Sequence, residues 1–273
     1  MPEWAAFVGL TGFLLTALLG LARLSQGAVR PDGGVSSTVD GVAVPDGDPT
    51  IPRFETREAV AQRRQMQDKL APSDLSTGAL LANVAFTQGL FGVLLVAGAF
   101  YFEIPASAFG VTAAGLSTGL PAVAVGIGAG VGFWVGNEAA AAVADGFGVA
   151  FDESLRELLA PDSAGGWVVL LGGVLPVIAL VEELLFRAAA IGVPVAGLDA
   201  PAAGMAVVAS VAFALGHGAQ GRAGIVVTGT LGLALAGLFV VTNSLLAVVV
   251  AHYLVNALEL IVHEGLGVGR LWA

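Results

Sequence analysis

Long apolar stretches, with neither the alternation of a strand nor the polar face of a surface helix, divide this chain of 273 residues. They cover residues 4–24, 78–100, 117–143, 167–195, 201–220, 223–242 and 244–264. An apolar helix of about 20 residues, rising about 1.5 Å per residue, matches the roughly 30 Å hydrocarbon core of a bilayer. Backbone polar groups in lipid must be satisfied within the segment, and unbroken apolar runs of this length do so as helices. The pattern predicts an all-α, polytopic transmembrane helix bundle of about seven spans, or eight, with interfacial helices.

Residues 26–77 form the one extended polar region. Gly27 to Pro52 mixes Gly, Pro, Asp and Ser and reads as a loop. Phe54 to Leu70 has the composition of a short surface helix, stopped by Pro72. The plain reading of both is a solvated connector. The organisation is then a first transmembrane helix (1–25), the polar loop (26–77), spans two and three with an interfacial segment (78–166), and a region rich in intramembrane polar residues (167–265). Phe151 to Leu159, with Phe and Leu set against Asp, Glu and Arg, reads as the interfacial helix. Glu3 precedes the first apolar run and Arg23 closes it, unlike a signal peptide with its positive leader and shorter core, so the run reads as a retained span.

Composition supports a membrane protein: 56% of residues are hydrophobic and 12% charged, against roughly 25% charged in soluble domains. Cysteine is absent, which excludes a disulfide framework and a thiolate nucleophile or metal ligand. The net charge of -10 argues against nucleic-acid binding. One lysine against ten arginines, with the acid excess, is also what a surface kept solvated at high salt would show. Arg23, Arg30, Arg53, Arg57, Arg63, Arg64 and Lys69 flank the first connection, which predicts a cytoplasmic 26–77 loop in a multi-pass cell-membrane protein. With seven spans, Arg156, Arg222 and Arg270 also fall inside, giving an outside N-terminus and an inside C-terminus. Gly126, Gly128, Gly130, Gly132 and Gly136 lie within an apolar span, where small residues serve close helix packing.

Against this background a few polar residues stand out. Ionisable groups at membrane depth are expensive and by default mark a functional site. Glu182, Glu183 and Arg187 lie in the fourth segment, His217 in the fifth, and His252, Asn256, Glu259 and His263 in the last. On a helix, residues four apart share a face, so Glu183 and Arg187 pair and Glu182, turned about 100° away, is left available. Phe213 and His217 share a face, and the last segment carries its four polar residues as one stripe, which must face protein or water. A carboxylate, two histidines and an amide suit activation of water and stabilisation of an oxyanion. A second histidine completing HExxH is missing after His263-Glu264, and neither a GxSG serine motif nor a GxGD aspartyl motif occurs.

Glu182-Glu183-Leu184-Leu185-Phe186-Arg187 reads EExxxR, Phe213 to His217 reads FxxxH, and His252 to Asn256 reads HxxxN. This ordered set, over about residues 167–265, resembles the CPBP intramembrane proteases, the group containing the type II CAAX prenyl endopeptidases. Ala188 stands where many relatives carry glycine, a departure that bears on packing. The resemblance implies an intramembrane endopeptidase acting on a membrane-embedded or membrane-tethered peptide or protein. Glu182 and His217 would activate water, His252 and Asn256 would hold the oxyanion, and Glu183, Arg187 and Phe213 would support them. It implies no cofactor, with a zinc site on His217, His252 and Glu182 as the alternative.

One geometric condition follows. If the fourth helix ran from Trp167 to Ala190, Glu182 and His217 would differ in depth by roughly 16 Å; a helix over about 172–197, continuing through or kinked near Pro194, reduces this to roughly 7 Å. The competing reading is a non-enzymatic scaffold or immunity-type protein of the same fold. A proton-relay transporter would show repeated halves with broken helices, and no such repeat is seen.

Overall fold

The computed structural model describes residues 1–29, 38–39, 42–43, 77–146, 154–218 and 221–269. The surface helix expected over Phe54–Leu70 lies outside these residues. Among them, apart from a two-residue antiparallel ladder (β1, Thr38–Val39, and β2, Val42–Ala43), every regular element is helical. The helices are α1 (Trp4–Val29), α2 (Thr77–Tyr101), α3 (Leu120–Gly146), α4 (Ser154–Leu159), α5 (Ala164–Leu198), α6 (Ala202–Gly216), α7 (Gly221–Thr242) and α8 (Leu245–Gly265). Short helical turns at Ala106–Phe109 and Gly115–Thr118 lead from α2 to α3.

Six of these helices are long and apolar enough to cross a membrane. The segment expected as a further crossing at 201–220 is instead α6, of 15 residues, about 22 Å against the roughly 30 Å of a hydrocarbon core. It stops at Gly216 because His217 leaves helical geometry, with ψ at 19°. Phe13, Phe86, Val208 and Val241 are exposed on the outside of the bundle. An apolar exterior of this kind is what lipid, rather than water, solvates.

The long fourth helix is present and runs continuously from Ala164 to Leu198, through Pro194. Ser163 starts it by accepting a bond from the Gly166 amide, and Asp199, in the left-handed region (φ 51°), ends it. It begins earlier than expected and is not uniform. Leu170–Val174 and Leu184–Gly192 are π-helical. The second π stretch hands over to α geometry at Val193, so that Pro194, which has no N–H to give, sits at the start of a new α turn.

Two packing layers hold α5. Val181, Leu185, Phe186, Ala189 and Ile191 join Phe7, Leu95, Phe213, Leu235 and Val248 in the main core. Leu170, Val174 and Leu175 join Leu81, Ala257 and Leu260 in a smaller one. Helix α8 is fixed at its start by Ser244, whose hydroxyl donates to the Ser117 carbonyl and accepts from the Ala247 amide. It lies closely on α3, and two of the five glycines explain the distance. A Cβ on Gly126 would fall 2.7 Å from the Ala247 carbonyl oxygen, and one on Gly130 would fall 2.9 Å from that of Ala251. Gly128, Gly132 and Gly136 have open space instead. The expected packing role thus belongs to the pair four residues apart, which sets the height at which His252 enters the core.

Candidate active site

Glu182 and Glu183 close the α-helical stretch Leu175–Glu183, and Arg187 lies in the π turns that follow. Inserted π turns are rare and recur at functional sites, because they re-aim side chains that an α-helix would stack in line. Glu183 and Arg187 are wholly buried, and Arg187 Nη1 donates to Glu183 Oε1 at 2.9 Å. The other terminal nitrogen, Nη2, donates to the Gly232 carbonyl of α7 at 3.1 Å. The guanidinium stands 4.5 Å from the centre of the Phe213 ring. One cation therefore ties α5 to α6 and α7. Removing it would strand the Glu183 charge, and that, more than the worth of the pair, makes the position sensitive.

Glu183 has a second task. Its Oε1 also meets His252 Nδ1, at 2.6 Å, while Oε2 has no hydrogen-bond partner among the described residues. With Nδ1–H donating to this carboxylate, the opposite nitrogen, Nε2, faces Glu182, 3.8 Å from Oε2. That separation is too long for a direct bond and suits a shared third atom. Glu182 is held from the other side by Gln88 of α2, whose Nε2 donates to Oε1 at 3.3 Å. The pairing of Glu183 with Arg187 expected from their spacing is present, and Glu182 has one long bond, to Gln88.

His217 caps the end of α6. Its Nδ1 donates to the Phe213 carbonyl at 2.8 Å, since a carbonyl can only accept, leaving Nε2 as the acceptor. Its ring lies 4.5 Å from that of Phe213, which in turn stands edge-on to His252 at 5.9 Å. Glu182, Glu183, Arg187, Phe213, His217 and His252 thus form one contiguous cluster. Asn256 lies one turn beyond His252, half-buried. Gln88 was not singled out in the sequence, although an amide inside an otherwise apolar span is itself a signal.

The alternative zinc set was tested on the same geometry. Among the described residues, the ligand atoms of Glu182, His217 and His252 are not gathered to within 4.8 Å of one another, whereas those of Glu138, Glu259 and His263 are. The alternative zinc set does not meet at one point in this arrangement.

Residues 164–258 match the family model described as type II CAAX prenyl endopeptidase Rce1-like. No curated protein and no solved structure matches the chain. The match starts with α5 and ends in α8, so the stretch that is similar to the Rce1-like endopeptidases contains all three motifs.

Proposed function

We propose that this protein is an intramembrane endopeptidase in which Glu182 is the general base. The observation that carries the reading is the 3.8 Å gap between Glu182 Oε2 and His252 Nε2, with both groups held from behind. A water in that gap would lose a proton to Glu182 as its oxygen attacks the peptide carbonyl carbon. The developing oxyanion would accept from His252 Nε2–H and the Asn256 amide. Collapse of the tetrahedral species would break the C–N bond, and the proton held by Glu182 would pass to the leaving amine.

In that role His252 would act as the imidazolium, with Nδ1–H held by Glu183 and Nε2–H turned to the oxyanion. His217, with Nδ1–H committed to the Phe213 carbonyl, would hold the water through Nε2. An open groove of about 520 Å³ lies between the start of α2 and the start of α5, lined by Thr77, Leu81, Ala85, Ser163 and Val174. It would serve as the entry for a membrane-tethered peptide. A prenylated chain is the substrate class that the family description suggests, and the basic residues of 26–77 favour a cytoplasmic side for that loop.

The test is cleavage of a membrane-tethered peptide library by purified protein, wild type against Glu182→Gln. Cleavage by wild type and not by a folded Glu182→Gln variant supports the reading. Equal cleavage by both would overturn the role of Glu182, and no cleavage by folded wild type on prenylated and unprenylated libraries would favour the scaffold reading.

A further inference from the structure

Half of the polar stripe on α8 takes no part in the proposed chemistry. Glu259 and His263 lie about 10 and 16 Å further along the helix axis than His252, and they meet a buried residue of α3, Glu138. His263 Nε2 is 2.9 Å from Glu138 Oε1 and 3.8 Å from Glu259 Oε2. The Glu138 side chain is fully buried and that of His263 nearly so. Arg156 of α4 is clasped on the other side, by Glu259 Oε1 at 2.9 Å and Glu264 Oε1 at 2.6 Å.

The tautomer of His263 is set from outside the cluster. Its Nδ1 lies 2.8 Å from the Val268 carbonyl, which can only accept, so Nδ1 carries the proton. A neutral ring then turns its Nε2 lone pair toward two carboxylates, an arrangement that repels unless something positive lies between them.

The geometry points to a divalent transition-metal site, of the zinc type, made by Glu138 Oε1, Glu259 Oε2 and His263 Nε2. These three side chains offer ligand atoms that all lie within 4.8 Å of one another. Zinc takes nitrogen and carboxylate ligands at about 2.0–2.2 Å, so the 2.9 Å contact between His263 and Glu138 needs to open by only a few tenths of an ångström. The outer contacts have the form that metal sites require. The remaining N–H of the histidine is held by a backbone carbonyl, and the remaining oxygen of Glu259 by Arg156. The site joins α3 to the π-helical end of α8, with α4 attached through Arg156. It is a clamp on the helix that carries His252, remote from the reacting atoms, and it would make the protein sensitive to chelators without a metal at Glu182. It does not rest on the protease reading.

The experiment is a zinc-binding measurement on the full chain in detergent, stripped with chelator, dialysed and titrated with Zn²⁺ alone. Bound zinc per chain is read by elemental mass spectrometry, and thermal unfolding is followed with and without the ion. We expect one zinc per chain in wild type and in Glu182→Gln, with a higher Tm when loaded. His263→Ala and Glu259→Gln should each lose more affinity than the about 10–100-fold that Arg156→Ala, which removes only an outer contact, should lose. Glu259 is the least buried ligand, so Glu259→Gln supplies a folded variant if His263→Ala does not fold. Substoichiometric zinc in wild type, unchanged binding in Glu259→Gln, or zinc lost in Glu182→Gln but kept in Glu259→Gln would each overturn the site.

Discussion

Helix α8 carries two polar clusters built from the same residue types, and they are resolved in opposite ways. Around His252, two carboxylates meet one guanidinium, and Arg187 and His252 both converge on the same Glu183 oxygen. That convergence leaves the neighbouring Glu182 with a long bond to Gln88 and an oxygen facing open space beside Nε2. Around His263, both ring nitrogens are already against oxygen atoms, and Glu259 and Glu264 share the guanidinium of Arg156. The first cluster leaves Glu182 with no close bond at Oε2; the second turns two carboxylates toward one imidazole nitrogen. At membrane depth every charge must be neutralised nearby, and the manner of neutralisation separates the site proposed for proton transfer from the one proposed for a cation. Both occur at π-helical turns, of α5 and of α8, where the backbone departs from strict stacking.

The largest expected effect falls on Glu182, the proposed base. Glu182→Gln keeps the shape and the acceptor for Gln88 while removing proton transfer, so cleavage of a tethered peptide should fall by about 10²–10⁴-fold. The Tm should move little. Glu259→Gln is the matching change in the other cluster, and its effect should appear in zinc binding and stability. If the two variants lose activity equally at equal Tm, the division between the clusters fails.

Next come the two arginines. Arg187→Ala strands a fully buried Glu183 and should lower stability by about 3–5 kcal/mol. Arg156 is partly open to its surroundings, and Arg156→Ala should cost nearer 1 kcal/mol in the zinc-free protein. Thermal unfolding in detergent ranks them. A reversed order would mean that the α5 cluster does not hold its charges in the way described.

A smaller effect tests how α8 is placed. Gly130→Ala puts a methyl group against the Ala251 carbonyl, next to His252. Overpacking of this kind costs about 1–3 kcal/mol, and the displacement of His252 should lower kcat more than it raises KM. Gly132→Ala, with open space around it, should leave both unchanged.

These contrasts also show what the sequence could and could not disclose. Apolar runs long enough to cross a bilayer are visible in any hydropathy reading, and the few polar residues within them stand out because lipid tolerates so few. Glu182, Glu183, Arg187, His217 and His252 were legible for that reason, and so was the length of α5, since without it the depths of Glu182 and His217 could not match. The shortness of α6 was not legible, because its apolar composition continues up to Gly216 and only the backbone at His217 shows the end. The π turns were hidden for a related reason: uniformly apolar helices carry no periodicity that would register a change of pitch. Glu138 escaped notice within a glycine- and alanine-rich span, and its partner lies 125 positions away in His263. Long-range pairs of that kind are set by which helices become neighbours.

Gln88 offers the finest test, because it asks whether Glu182 is merely accessible or is held in place. Its amide nitrogen reaches Glu182 at 3.3 Å, and its own oxygen has no hydrogen-bond partner among the described residues. A bond of that length to a carboxylate should be worth about 1 kcal/mol, so Gln88→Leu should lower kcat/KM by about 5-fold. If Gln88 positions the base, the loss lies in kcat, because the bond matters most when Glu182 must point at the water. If Gln88 only lines the path of the peptide between α2 and α5, the loss lies in KM with kcat preserved. Gln88→Asn, too short by one methylene to reach but still polar, should behave like Gln88→Leu in the first case and like wild type in the second.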